Sequence, residues 1–219
     1  MSLRTVLWAF VPYAMASAVH VVLLAMENPL AAPTKLILMP LLAVPVLLSI
    51  RRARRRVSIL LILTALLFSW LRAAAGSLFP DTPELPLMLG FFGVAHIAYI
   101  VLFARFLGGR RMPWWALAYA AWWIVMMFTL GPHTGALLPA VGGYGVVLAG
   151  TAAMAARCSR LIAAGGALFL LSDTILAFRL FLPDAMPSWT SPAVMSTYTL
   201  GQGLLIAGAL VRLHEKAAR

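Results

Sequence analysis

Charge is what this chain has least of. Asp, Glu, Lys and Arg make up 11% of its 219 residues, where a soluble domain carries about 25%. A water-facing surface cannot be built from so little, so a soluble globular domain is excluded. There are two lysines, Lys35 and Lys216, and both lie outside the cores of the apolar segments. No Schiff-base lysine is available, and a retinal-type cofactor is not expected. The single cysteine, Cys158, excludes an intramolecular disulfide, and it reads as an inert residue at a membrane edge. No Cys/His spacing resembles a metal site, so neither metal nor other cofactor is expected. Long polar loops are missing too, which leaves no extramembrane domain to carry chemistry. What is present is apolar: 63% of residues are hydrophobic. The class that remains is a polytopic α-helical membrane protein.

The formal charge of +11 suggests nucleic acid only until its distribution is considered. Eight apolar segments can be drawn, at 4–26, 34–50, 57–78, 86–107, 112–131, 134–156, 160–182 and 188–212, each near the ~20 residues a spanning helix needs. Cations collect in the loops after the second, fourth and sixth segments and in the C-terminal tail. These groups are Arg51, Arg52, Arg54, Arg55 and Arg56, then Arg110 and Arg111, then Arg157 and Arg160, then Arg212, Lys216 and Arg219. The opposite loops hold Lys35 with Glu27, Asp81, Glu84 and Asp184. With eight spans all the cationic loops fall on one side, so the positive-inside rule puts both termini in the cytoplasm. The arginine run at 51–56 is then a headgroup anchor rather than a nucleic-acid patch. The expectation is one transmembrane domain over 1–219, an all-α bundle of about eight helices in a bacterial plasma membrane.

The first segment has signal-peptide features, with Arg4 as an n-region and Ala16-Ser17-Ala18 as a small-residue site. Its apolar run continues to Met26, so it reads as an uncleaved span. Pro40 and Pro45 in the second span free backbone carbonyls. Glycines at 142, 143, 145, 150, 165 and 166 point to close helix packing. Trp114, Trp115, Trp122 and Trp123 read as interfacial anchors or lipid-facing packing.

One segment breaks the apolar rule. Leu161 to Leu182 carries Asp173 near its middle, where a carboxylate costs roughly 2.5–3.5 kcal/mol on insertion scales. At about 1.5 Å per residue, other polar groups reach the same depth. Ser69 and Arg72 share a face of the third span, His96 and Tyr99 of the fourth, and Tyr198 and Gln202 of the eighth. Tyr13, Ser17 and His20 stripe the first. Five helices thus place polar residues in one central slab, which suggests a polar pocket. Arg72 is as disfavoured in hydrocarbon as Asp173, and a pair between them is the simplest expectation. Arg179 is expected to snorkel to the outer interface.

Several of these residues stand in a recurring order. Thr34-Lys35 and Met39-Pro40 occur in the second span, and Leu67-Phe68-Ser69-Trp70-Leu71 in the third. Ala95-His96 and Tyr99 follow in the fourth, Ser172-Asp173 in the seventh, and Tyr198 and Gln202 in the eighth. In these features the chain resembles the YhhN-type membrane family, whose characterised members are lysoplasmalogenases. The resemblance implies hydrolysis of a vinyl ether, releasing a fatty aldehyde and a glycerophospho-base. It implies Asp173 and His96 as catalytic groups, with Tyr99, Tyr198, Gln202, Ser69 and Lys35 about the substrate, and Arg72 is expected beside them from its depth rather than from the resemblance. Membrane lipid or lysolipid is the implied partner, with a homo-oligomer as a further one and no nucleic acid.

The chain departs from the family pattern at one place. Arg72-Ala73 stands where Gly-Asp is usual, so one of two intramembrane acids is missing. Vinyl-ether hydrolysis needs a proton on carbon and then water, and an Arg72–Asp173 pair would hold Asp173 ionised. Asp173 would then be a base or an electrostatic stabiliser, with His96 or Tyr198 as proton donor. The alternatives are a relative that binds a lysolipid without hydrolysis, Arg72 holding its phosphate, and a small transporter gated by Asp173 and Arg72.

Overall fold

The computed structural model describes residues 8–49 and 56–217, and all regular structure among them is helical. The helices are α1 (Val11–Ala25), α2 (Ala31–Ser49), α3 (Arg56–Leu78), α4 (Glu84–Val101), α5 (Leu117–Leu130), α6 (Leu138–Ala156), α7 (Arg160–Phe181) and α8 (Thr190–Ala217). A π-helical turn, Leu102–Leu107, extends α4. Seven of these elements are long and apolar enough to cross a membrane, and α1 is a shorter apolar helix. The protein is an integral membrane protein. Arg51, Arg52, Arg54 and Arg55, together with Arg4 and Arg219, lie outside the described residues.

Neighbour contacts close a ring in the order α1, α2, α3, α4, α6, α7, α8 and back to α1, with α5 packed outside on α6. The outlying position of α5 follows from its sequence, which is apolar on every side. Trp114 and Phe128 are exposed at the level expected of lipid-facing side chains. Its inner face is pinned by two indoles rather than by interfacial anchoring. Trp122 Nε1 donates to Thr174 Oγ1 at 3.0 Å, and Trp123 Nε1 donates to the Gly142 carbonyl at 3.0 Å.

Proline in α2 has a consequence that can be traced atom by atom. Pro40 has no N–H to give to the carbonyl of residue 36, one turn earlier. That carbonyl, of Leu36, instead accepts from Trp70 Nε1 of α3 at 2.9 Å. A helix defect thus becomes a specific α2–α3 link. We expect Trp70→Phe to lower stability by about 1–3 kcal/mol, the cost of a carbonyl left unpaired in the bundle. Thermal unfolding in detergent checks this, and an unchanged midpoint would show that the carbonyl finds another donor.

The tightest interface joins α7 to α8, and glycine makes it possible. A Cβ on Gly165 would lie 2.7 Å from the Leu205 amide nitrogen and 2.9 Å from the Gly201 carbonyl oxygen. On Gly201 it would lie 2.9 Å from the Phe169 amide nitrogen. These are backbone atoms, so the two helices touch main chain to main chain, as small residues allow in a membrane. Ser172 Oγ adds a bond to the Val194 carbonyl at 2.9 Å. The crossing fixes the axis of α7 two turns below Asp173.

Candidate active site

Asp173 is buried on α7 and receives the hydroxyl of Tyr144 from α6 on its Oδ2. The same hydroxyl lies 3.3 Å from His96 Nε2 on α4. His96 Nδ1 in turn stands 3.0 Å from Thr151 Oγ1. Thr151 Oγ1 lies 2.9 Å from the Val147 carbonyl, one turn back on α6, and its own hydrogen belongs there. Its oxygen therefore accepts from His96 Nδ1–H, which leaves His96 Nε2 as an acceptor facing Tyr144. A continuous chain runs Asp173, Tyr144, His96, Thr151, Val147. It can be occupied in two ways: Tyr144 donates to an ionised Asp173, or a protonated Asp173 donates to Tyr144, which donates to His96.

The expected Arg72–Asp173 ion pair does not form among the described residues. The reason is a competing partner for each group. Tyr144 takes Asp173, while the Arg72 guanidinium carbon sits 4.5 Å from the centre of the Phe92 ring, within cation–π range. Arg72 is 7% exposed, and its Nε is buried without a hydrogen-bond partner.

Two spaces meet at Arg72. A cavity of about 700 Å³ opens at the α1–α2 end, lined among others by His20, Lys35, Arg72, Arg179 and Trp189. A narrow apolar crevice of about 60 Å³ lies between α3, α4, α6 and α7, lined by Arg72, Leu89, Phe92, Tyr144, Asp173 and Leu180 among others. Arg72 and Leu176 line both. Arg179 turns toward the connection that follows α7, the end of the helix it was expected to reach. It donates to Thr190 Oγ1 at 2.5 Å and to the Pro187 carbonyl at 3.4 Å, because the short turn after α7 folds the start of α8 back over its end.

The remaining expected residues separate into groups. Lys35 reaches the large cavity. Tyr99 donates to Gln202 Oε1 at 2.5 Å, and Gln202 Nε2 donates to Ser69 Oγ at 3.1 Å. This second network is sealed, with Ser69 and Gln202 both 0% exposed, and it lines neither space. Tyr198 packs on Phe92 and Phe169 and turns its hydroxyl to Met39 Sδ at 3.6 Å. His96 meets Asp173 only through Tyr144. The stripe on α1 is the buried face: Tyr13 donates to the Thr199 carbonyl at 2.7 Å, and His20 Nδ1 lies 2.9 Å from Thr34 Oγ1.

Tyr144 and Thr151 are absent from the sequence expectation. Tyr144 stands among glycines 142, 143 and 145, six residues into α6, and counting depth on that helix places it in the polar slab. Cys158, between α6 and α7, is buried, and burial pushes its thiol up to about 11, so it offers no nucleophile. No cluster of His, Cys, Asp and Glu fit for a metal occurs among the described residues.

A model of the YhhN family matches residues 30–209. No curated protein and no solved structure is a match to the chain. The matched region holds Asp173, Tyr144, His96, Arg72 and Lys35, whereas α1 with His20 precedes it.

Proposed function

Because the chain belongs to the YhhN family, which includes lysoplasmalogenases, we propose that it is a membrane hydrolase cleaving the vinyl ether of a lysoplasmalogen. The observation that carries this reading is Asp173: a carboxyl bound to a hydroxyl relay, free of an ion pair, beside an apolar crevice. At about 60 Å³ the crevice admits only the first carbons of an alkenyl chain, and its wall brings Asp173 to the bond that must react.

The chemistry runs in two halves. Asp173 in its acid form gives its proton to the vinyl carbon remote from the ether oxygen, and the carbon next to oxygen becomes an oxocarbenium ion. The carboxylate then takes a proton from the water that adds to that carbon. The hemiacetal so formed collapses to the fatty aldehyde, its hydroxyl proton passing to the glycerol oxygen as the C–O bond breaks. One water is consumed and the acid is restored. With no second carboxyl lining the crevice, one carboxyl serves as donor and then as acceptor, and the Tyr144–His96 chain gives its proton two places to rest. His96 acts through Tyr144 rather than on the substrate.

The test is purified full chain in maltoside micelles with lysoplasmalogen, reading fatty aldehyde. Release above the protein-free rate is expected. No release with lysolipid binding retained would overturn hydrolysis and leave the second reading, a relative that only binds lysolipid. That reading is favoured by Arg72-Ala73. Tyr144→Phe should lower kcat by about 10- to 100-fold, the worth of a hydrogen bond to a charged group, with KM unchanged. A rise in KM alone would make Tyr144 part of the binding wall instead.

A further inference from the structure

The large cavity at the α1–α2 end carries more positive than negative charge, although Glu84 is close enough to Lys35 to act on it. Three cations from three helices line it: Lys35 of α2, Arg72 of α3 and Arg179 of α7. The carboxylate of the lining, Glu27, is exposed. Arg179 is held by Thr190 and Pro187, which fixes its guanidinium without neutralising it. Arg72 is a different case. It is buried, it makes no hydrogen bond or ion pair among the described residues, and its Nε has no partner. The Phe92 ring at 4.5 Å offers about 0.5–2 kcal/mol. Nε is the buried, unpaired nitrogen, while the two terminal nitrogens stay accessible from the cavity, where a ligand can reach them. His20 stands on the same wall, but its Nδ1–H is given to Thr34 Oγ1, whose own hydrogen goes to a backbone carbonyl, so its buried Nε2 is an acceptor and adds nothing toward an anion.

A buried arginine that the fold leaves open, converging with two further cations on one space, describes a receptor for an anion. The planar fork of arginine fits phosphate oxygens in pairs, and lysine adds a point charge. We infer that this cavity is a seat for a phosphate ester, with Arg72 as its innermost ligand and Lys35 and Arg179 closing around the oxygens. Arg72 also lines the crevice that holds Asp173. A phosphate on its guanidinium is therefore one side chain away from the carboxyl. That short separation matches a lipid in which a glycerol unit joins the phosphate to the reacting ether. The headgroup enters from the polar end, and the first carbons of the chain reach the crevice. Arginine at position 72 is then a ligand in its own right rather than only the loss of an acid. This seat deepens the proposed function but does not require turnover.

The experiment uses ligands that cannot be hydrolysed. Purified full chain in maltoside micelles is titrated with a 1-O-alkyl lysophosphatidylethanolamine, a 1-O-alkylglycerol without phosphate, glycerophosphoethanolamine and inorganic phosphate. The alkyl lysophospholipid is expected to bind at least tenfold more tightly than the alkylglycerol. Arg72→Gln and Lys35→Gln should each remove most of that difference, and Arg72→Lys should restore part of it. Neither glutamine variant should change alkylglycerol binding, which guards against simple misfolding. Competition by glycerophosphoethanolamine but not by equal inorganic phosphate assigns the seat to a lipid headgroup, and competition by both assigns it to phosphate from either source. Equal affinity for the two alkyl ligands, or phosphate preference unchanged in both glutamine variants, overturns the seat. Aldehyde release can fail while the preference holds, or persist while it is absent, so the two proposals fall separately.

Discussion

Asp173→Asn is expected to lower aldehyde release by about 10²- to 10⁴-fold, the range a positioned general acid supplies. The substitution keeps the shape of the side chain and removes the proton that must reach carbon. Tyr144 still finds an oxygen acceptor on the amide, so the contact between α6 and α7 is retained. Stability is expected to move the other way. A carboxyl buried in a spanning helix is costly to hold, and its neutral amide is cheaper, so the unfolding midpoint should stay level or rise. Loss of turnover with gain of stability is the signature of a group held for chemistry. A buried acid held only to tie helices together gives the opposite pair, a falling midpoint with activity per folded molecule intact. That second outcome would remove Asp173 from the site. Measuring both quantities on one preparation separates the cases.

The fold was legible because its cause is one-dimensional. A span announces itself by length and apolarity, and the expected 57–78, 86–107 and 160–182 correspond to Arg56–Leu78, Glu84–Leu107 and Arg160–Phe181. The buried faces were legible as well, since a stripe such as Tyr13, Ser17 and His20 can only point inward. Partner choice was not. From depth alone Arg72 and Asp173 are natural partners, yet Arg72 sits against Phe92 and Asp173 takes Tyr144. Those two residues carry no charge and give no signal of cost, so a search for expensive groups passes over them. The same blindness merged two networks into one pocket. Tyr99, Gln202 and Ser69 lie at the right depth, but they satisfy one another. Hydrogen-bond closure depends on which helices are neighbours around the ring, and periodicity within a helix is silent on that. The absence of the pair also changes the geometry. Asp173 was expected against Arg72, and the hydroxyl of Tyr144, which can face either a carboxylate or an acid, takes that place.

The most severe structural effect is expected at Gly165, and its sign runs against helix propensity. Glycine is the poorer helix former, by roughly 0.8–1 kcal/mol relative to alanine, so propensity alone favours any replacement that is not proline. Position 165 offers no room for one. The contact atoms at 2.7 and 2.9 Å are the Leu205 nitrogen and the Gly201 oxygen, main-chain atoms that cannot turn aside as a side chain would. Gly165→Leu must separate α7 from α8, and the cost should exceed about 3 kcal/mol, the upper end of ordinary overpacking. Gly143→Leu is the matched control, because a Cβ there meets nothing within 4 Å and the residue is exposed on α6. Its unfolding midpoint should remain within error of the parent or rise. The pair of variants also bears on function. Displacing α7 moves Asp173 away from Tyr144, so whatever Gly165→Leu protein folds should release aldehyde slowly, while Gly143→Leu, next to Tyr144 in sequence but facing away from α7, should not. Equal stability of the two variants would mean that α7 and α8 do not meet backbone to backbone, and the placement of Asp173 against the relay would fall with that contact.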